Sequence, residues 1–147
     1  MLNNWLNDAT LMRRDSVETW PQALELCAGP LLASEVITPD YVTAIVDQHR
    51  RLGPYYVLAP GLAMPHARPE EGAKGPGLSL LKLDRGVAFG AGAFDPVDII
   101  VMLAAPDKHS HIEMIAALAA LFSSDEDMQQ LHQAETLEEI KTIIARF

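Results

Sequence analysis

The sequence predicts an α/β fold: a single-domain sandwich in which a mixed central sheet of about five strands is flanked by helices on both faces. Two helix signals precede the first strand signal, several strand-like segments follow, and helix signals close the chain. Residues 97–105, VDIIVMLAA, form a nearly unbroken apolar run typical of a central strand buried on both faces. No long linker divides the chain, so residues 1–147 are predicted to form one domain.

The N-terminal part of the chain predicts an arm followed by a helix. Residues 1–16 are polar and weakly periodic, and we expect them to pack on the domain as an arm. Thr19 is followed three residues later by Gln22, a capping-box pattern that begins the first helix. Gly29-Pro30 predicts a kink or a break in this helix, which ends near Ser34.

A second helix is predicted between a threonine cap and a Gly-Pro stop. Thr38 is a good N-cap, and Pro39 suits the first helical position. Gly53-Pro54 ends the helix. His49 is predicted to face solvent. The side chains predicted to face inward are Tyr41, Val42, Ile45 and Val46.

The middle of the chain predicts short strands separated by turns. Residues 55–58, 62–64 and 78–83 have the composition of strands. Residues 84–86, Asp-Arg-Gly, are predicted to turn into a further extended piece at 87–89.

Three cap signals predict the C-terminal helices. Ser110 with Glu113 forms a capping box, Ser124 begins a short helix over 125–133, and Thr136 begins the last one. His132 is predicted to face solvent. The apolar stripe expected on the first of these helices is Ile112, Ile115, Ala116, Ala119 and Phe122, and that on the last is Leu137, Ile140, Ile143 and Ile144.

Charge and cysteine content restrict the class of function. The net charge is −9, from 20 acidic and 11 basic residues, which argues against nucleic acid as a partner. The single cysteine, Cys27, lies among leucines and is predicted to be a core residue rather than a nucleophile. Residues 1–16 lack the pattern of a secretory signal, and no apolar run has the length of a membrane span. A cytoplasmic protein is therefore expected.

Residues 53–72, GPYYVLAPGLAMPHARPEEG, carry the strongest functional signal. His66 follows Pro65 directly, and proline is poorly compatible with a helix interior. The extended segment 62–64 therefore delivers His66 to a rigid bend, an arrangement that suits a reactive imidazole. The alternative is a loop histidine without a function.

The segment 62–67, LAMPHA, resembles the phosphorylation-site segment of the enzyme IIA components of the bacterial sugar phosphotransferase system, mannitol/fructose class. The longer string 53–72 is most similar to the ascorbate-type branch of that class. The resemblance implies a mixed sheet flanked by helices and a phosphohistidine at His66. It implies that the histidine phosphocarrier protein HPr donates the phosphoryl group and that a cysteine of an enzyme IIB accepts it. It implies that the membrane enzyme IIC is an indirect partner, and it implies no cofactor.

His111 is the second candidate residue of the site. The capping box predicted at Ser110 places His111 in the first turn of a helix, where unpaired N–H groups and the helix dipole favour anions. A histidine there should be biased toward the neutral form and can donate an N–H to phosphoryl oxygens. The resemblance assigns this supporting role to His111. The alternative is a polar residue of the cap region without a function; His109 is a weaker candidate for the same role.

Arg50 and Arg51 precede His66 in the region where the second helix meets the loop. The resemblance makes either a candidate phosphate contact. A solvated basic pair favoured by the helix dipole is the alternative.

Two other functions stay open on the residues alone. One is a regulatory module of the same fold that is phosphorylated but feeds no transporter. The other is a metal site formed by His66, His109 and His111, with Asp107 or Glu113 as a further ligand. The sequence also leaves open whether Met64 lies in the core or contacts partners with Leu62, Ala67 and Pro69, and whether the chain forms a homo-oligomer.

Overall fold

A five-stranded mixed sheet forms the centre of the computed structural model, which describes all 147 residues. Its strands are β1 (Leu11–Arg14), β2 (Val57–Ala59), β3 (Leu62–Ala63), β4 (Gly77–Val87) and β5 (Val97–Ala104). The strand order is β1-β4-β5-β3-β2. β5 runs antiparallel to β4 and parallel to β3. The predicted mixed sheet is therefore confirmed.

Five helices cover the two faces of this sheet. They are α1 (Trp20–Ala33), α2 (Pro39–Leu52), α3 (Lys108–Phe122), α4 (Asp125–Gln133) and α5 (Leu137–Ile144). The first two pack on one face and the last three on the other, as two separate hydrophobic clusters show. None of these helices combines the length and the hydrophobicity that crossing a membrane requires.

The alternation of side chains along β5 divides the core. Ile99, Val101 and Leu103 pack in the cluster with α3, α4 and α5. The intervening Ile100, Met102 and Ala104 pack in the cluster with α1 and α2. All six side chains are buried, so the apolar run is a central strand buried on both faces, as predicted.

The N-terminal residues contain a strand that the sequence did not predict. Leu2 and Leu6 are buried, in agreement with an arm packed on the domain. However, Leu11–Arg14 pairs in parallel with β4 as an edge strand of the sheet. Two consecutive arginines give this strand no clear alternation of polar and apolar residues, which explains why the prediction missed it.

The turn predicted at residues 84–86 is wrong. β4 is continuous from Gly77 to Val87, with a register shift between Lys82 and Val87 in its pairing with β5. The polar triplet lies in that irregularity, where a strand bends without reversing. A Cβ on Gly86 would lie 3.0 Å from the carbonyl oxygen of Val97, so glycine permits a close approach of the two backbones.

α1 is not broken at Gly29-Pro30. It continues to Ala33 with Pro30 inside it. The hydroxyl of Thr19 accepts from the N–H of Gln22 as predicted, but the side chain of Gln22 accepts from Glu18 rather than from Thr19. The predicted ends of the helix are confirmed to within about one residue, the usual uncertainty of helix boundaries.

His49 is buried, and its predicted exposure to solvent is wrong. Its ring stacks on Trp20 with the centroids 3.7 Å apart. Its Nε2 lies 3.0 Å from the carbonyl oxygen of Phe89, and its Nδ1 lies 2.7 Å from the hydroxyl of Tyr56. Because a carbonyl only accepts, Nε2 carries the proton and Nδ1 accepts from the tyrosine. Burial lowers the pKa of His49, consistent with a neutral ring.

His132 is also less exposed than predicted. Its side chain is 30% exposed, and its Nδ1 lies 2.8 Å from a carboxylate oxygen of Asp98. The same carboxylate lies 3.6 Å from the buried ammonium group of Lys82. This polar cluster joins α4 to the start of β5. It therefore lies at the opposite end of β5 from the loop that leads into α3.

α3 begins three residues earlier than predicted, because Asp107 rather than Ser110 is its N-cap. The buried face of α3 also differs from the predicted stripe: the buried residues are Met114, Leu118 and Leu121, and Ile112 is 64% exposed. The caps predicted for α4 and α5 are confirmed, since Ser124 and Thr136 accept hydrogen bonds from the backbone of the following helix.

Candidate active site

The backbone around His66 is fixed by hydrogen bonds to the central strand and to α2. The N–H of Leu103, in β5, donates to the carbonyl of Pro65 at 3.1 Å. The hydroxyl of Tyr41 donates to the carbonyl of Leu103 at 2.6 Å and accepts from the N–H of Ala67 at 3.1 Å. Burial raises the pKa of Tyr41 to about 12, so this hydroxyl keeps its proton at neutral pH. His66 therefore lies on a rigid segment.

The half-buried ring of His66 has one nitrogen engaged and one free. Its Nδ1 lies 2.8 Å from the carbonyl oxygen of Met64. The carbonyl can only accept, so Nδ1 carries the proton and Nε2 of the neutral ring keeps its lone pair. The ring of Tyr55 stands edge-on to His66, with centroids 6.2 Å apart. The hydroxyl of Tyr55 lies 2.9 Å from the carbonyl oxygen of His66. The structure thus holds an imidazole with an available nucleophilic nitrogen.

His66 and His111 line the same cavity, which has a volume of about 270 Å³. It lies where β3 and β5 end, so the two predicted histidines come together although they are far apart in the sequence. The residues that line it are Gln48, Tyr55, His66, Ala67, Arg68, Pro69, Leu103, Ala105 and His111.

His111 reaches this cavity from α3, where it is the fourth helical residue rather than the first. Its backbone N–H is engaged with the carbonyl of Asp107 at 3.2 Å. The carboxylate of Asp107 accepts from the N–H of Ser110 at 2.8 Å, and this hydrogen bond lowers the pKa of Asp107. The protein's own carboxylate therefore caps the helix N-terminus that we expected to hold phosphoryl oxygens. The side chain of His111 is exposed and free to contact a ligand.

Neither Arg50 nor Arg51 lines the His66 cavity. The guanidinium of Arg50 lies over the ring of Trp20, 5.8 Å from its centroid. Arg51 lines a neighbouring hollow of about 410 Å³ with Asp40 and Asp47. Arg68 lines both spaces, so it is the arginine that the structure places beside His66.

Leu62 and Met64 belong to the core. They are 2% and 9% exposed and pack in the cluster with α3, α4 and α5. The partner-contact role that the sequence left open for them is therefore wrong, because strand alternation and the bend at Pro65 direct them inward. Ala67 is half-buried and Pro69 is exposed, so both remain at the surface.

The alternative metal site lacks a set of ligands. The Nε2 of His109 lies 3.0 Å from the carboxylate of Glu113, one turn along α3. No group of three or more His, Cys, Asp or Glu side chains in the chain is arranged to hold a metal ion. The histidines of this region therefore do not form the predicted ligand set.

Sequence reasoning missed Gln48 and Tyr55 as residues of the site and treated Arg68 only as a charge at its rim. Gln48 lies on α2 and carries no motif, and Tyr55 fitted a strand pattern instead. The proximity of Arg68 to His66 in the sequence was the one signal available.

Comparisons with known proteins identify the class. The family model "Phosphoenolpyruvate-dependent sugar phosphotransferase system, EIIA 2" matches residues 5–147. The "Ascorbate-specific PTS system EIIA component" of Escherichia coli K12 is 42% identical over 130 residues, which is 88% of this chain and 84% of that protein.

Solved structures agree with this class. The mannitol-specific cryptic phosphotransferase enzyme IIA CmtB of Escherichia coli has a TM-score of 0.92 and 38% identity, covering 99% of each chain. The enzyme IIA of a complex of enzyme IIA and phosphorylated enzyme IIB for mannitol, also from Escherichia coli, has the same fold, with a TM-score of 0.79 and 21% identity, covering 97% of this chain and 98% of that one. This chain therefore belongs to the type 2 enzyme IIA family of the sugar phosphotransferase system, and it is a phosphotransferase component.

Proposed function

We propose that this chain is the phosphocarrier of an ascorbate-type sugar phosphotransferase system, with His66 as the residue that carries the phosphoryl group. The observation that carries the proposal is the hydrogen bond from Nδ1 of His66 to the carbonyl of Met64 at 2.8 Å. It leaves the lone pair of Nε2 available for attack. The ascorbate branch is supported by the 42% identity to an enzyme IIA described as ascorbate-specific.

The transfer begins with a phosphohistidine of HPr at the His66 cavity. The Nε2 lone pair of His66 attacks phosphorus, and the donor nitrogen recovers the electron pair of its own N–P bond. The proton on Nδ1 stays bonded to that nitrogen throughout, hydrogen-bonded to the carbonyl oxygen of Met64. His111, which lines the same cavity, donates a hydrogen bond to the phosphoryl oxygens, which carry more charge as the bond to the donor loosens.

The second transfer delivers the phosphoryl group to a cysteine of an enzyme IIB. A mannitol enzyme IIA of the same fold is known in a complex with phosphorylated enzyme IIB, which supports this order. The exchange takes place in the cytoplasm, where the single Cys27 stays reduced. Residues 1–147 act as one domain in this role, since both hydrophobic clusters pack on the same sheet.

Intact-mass measurement tests the proposal. The chain is incubated with phosphoenolpyruvate, enzyme I and HPr, and then with an ascorbate-type enzyme IIB. We expect a mass gain of one phosphate, followed by its loss to the enzyme IIB cysteine. A chain that gains phosphate but passes none to any enzyme IIB would instead support the regulatory module.

A further inference from the structure

Arg68 is the only lysine or arginine among the residues that line the His66 cavity. Its side chain is 72% exposed, and the Nε atom makes its one hydrogen bond, to the Oε1 of Glu71 at 3.3 Å. Nε also lies 3.7 Å from the carboxylate of Glu70. The two terminal amino groups of the guanidinium make no hydrogen bond to the protein.

Glu71 holds Arg68 in place through a small network. Its carboxylate accepts from the backbone N–H of Arg68 at 3.0 Å and from the side-chain amide of Gln48 at 3.3 Å. The backbone hydrogen bond from Arg68, together with its side chain, lowers the pKa of Glu71, which keeps the carboxylate ionised at neutral pH. Glu71 binds the guanidinium of Arg68 at Nε, so the two terminal amino groups remain available at the edge of the cavity.

We infer that Arg68 binds the phosphoryl group carried by His66, through the two terminal amino groups of its guanidinium. This inference rests on the proposed function. A planar guanidinium with two free N–H₂ groups matches two oxygens of a phosphoryl group and forms charge-assisted hydrogen bonds with them. A cation is needed at this position because the ionised Glu71 and its neighbour Glu70 would otherwise repel the incoming phosphoryl dianion. Arg68 exchanges no proton during the transfer and acts only by its charge and hydrogen bonds.

The alternative is that the side chain of Arg68 serves only the local turn. That turn, Pro69–Glu71, is already capped by the backbone N–H of Arg68, which any residue except proline supplies. An exposed ion pair stabilises a fold by roughly 0–1 kcal/mol. A purely structural role would therefore leave the properties of a phosphoryl group on His66 unchanged when Arg68 is replaced.

A titration of the phosphorylated protein separates the two interpretations without any partner protein. Wild type, Arg68→Gln and Arg68→Lys are phosphorylated with phosphoramidate, a small-molecule donor, and the phosphohistidine signal is followed by ³¹P NMR against pH. Because a guanidinium favours the dianion, we expect the pKa of the phosphoryl group to be roughly one pH unit higher in Arg68→Gln than in wild type. Arg68→Lys keeps the positive charge but loses the planar pair of amino groups, so the pKa of its phosphoryl group should lie between the other two. Arg14→Gln is the control, since the side chain of Arg14 bonds only to the carbonyl of Arg13.

Transfer from HPr gives the second measurement. We expect Arg68→Gln to accept the phosphoryl group roughly 10–100-fold more slowly than wild type, with Arg14→Gln unchanged. Equal titrations and equal rates in wild type and Arg68→Gln would overturn the inference. If phosphoramidate modifies His66 but HPr does not, the proposed function fails and the titration still decides the role of Arg68. If neither donor modifies His66, both fail.

Discussion

The Nδ1 atom of His66 donates a hydrogen bond to the carbonyl oxygen of Met64, two residues earlier in the chain. In the proposed transfer, this contact leaves Nε2 as the attacking nitrogen, because Nδ1 cannot attack while it holds its proton. It also fixes the ring relative to β3 and β5 before any partner arrives. Such fixed geometry lowers the entropic cost of an in-line transfer.

His66→Ala should abolish the gain of one phosphate mass after incubation with phosphoenolpyruvate, enzyme I and HPr. In the wild type, the phosphoryl group should be on Nε2, which ³¹P and ¹⁵N NMR of the phosphorylated chain can establish. The modification should be labile in acid and stable in base, as a phosphoramidate is. His109→Ala is the control, because His109 does not line the cavity and should leave the mass gain intact. A phosphorylated His66→Ala variant would show that another residue carries the group.

His111→Ala should still accept phosphate on His66 but should transfer it roughly 100-fold more slowly, the scale of losing one oxyanion donor. The expectation follows from the shared cavity and from the exposed, unengaged side chain of His111. His111→Asn retains a side-chain N–H donor and should recover part of the rate. Stopped-flow or quenched-flow measurement of transfer to enzyme IIB checks both variants. Wild-type rates in His111→Ala would remove this residue from the site.

The sequence predicted the parts of this fold that depend on strong local signals. The apolar run of β5, the caps of α4 and α5, and the Pro-His bend are each specified by a few neighbouring residues. β1 and the continuous β4 depend on pairing with other strands, and pairing is not visible in a single segment. The same reasoning explains the error at Asp84–Gly86, where residues typical of a turn lie within a register shift of β4 instead.

The site could be predicted only in part, for a related reason. His66 has a motif, and His111 follows a recognisable buried strand. Gln48, on α2, and Tyr55, two residues before β2, enter the site through tertiary contacts that no local pattern indicates: the hydroxyl of Tyr55 lies 3.1 Å from the amide oxygen of Gln48 and 2.9 Å from the carbonyl oxygen of His66. His49 was placed wrongly because the polar side chain is satisfied by Tyr56 and Phe89, partners that only the tertiary structure supplies.

Met64→Glu should destabilise the fold by about 3 kcal/mol, because a carboxylate would be buried without a partner. The position is 9% exposed and packs with α3, α4 and α5. Leu58→Glu is the matched control, since Leu58 is 45% exposed on β2 and should tolerate the charge. Chemical denaturation of both variants measures the difference. An unchanged midpoint in Met64→Glu would mean that Met64 faces solvent.

The stability of the protein should fall as the pH decreases below the ordinary His pKa of 6.5, in part because of His49. Burial lowers the pKa of His49 in the folded state, so the unfolded chain binds a proton more readily than the folded one. The contribution of His49 is therefore complete above pH 6.5 and is lost as the pH falls toward the folded pKa.

His49→Phe should keep the stacking on Trp20 but remove this titration. We expect a lower thermal midpoint than wild type at pH 7.5, because Tyr56 and Phe89 lose a hydrogen-bond partner. The drop in midpoint between pH 7.5 and 5.5 should be smaller than in wild type. Calorimetry of both proteins across this range checks the slope, and identical slopes would exclude His49 as the titrating group.

Ile112→Asp should weaken transfer from HPr without altering the fold. Ile112 is 64% exposed on α3, directly after His111, and it lines a hollow of about 520 Å³ that shares His111 and Pro69 with the His66 cavity. A protein that brings its own reactive side chain to His66 has to cover this hollow, and an exposed isoleucine at its edge offers apolar area for that contact. An aspartate there would be desolvated by the partner, so we expect KM for phospho-HPr to rise roughly 10-fold with a smaller effect on kcat.

Leu137→Asp, at a 37% exposed position on α5, is the control and should leave KM unchanged. Phosphorylation by phosphoramidate should proceed equally in wild type and Ile112→Asp, because the small donor needs no docking surface; a slower chemical reaction would instead indicate that the substitution disturbs the His66 cavity.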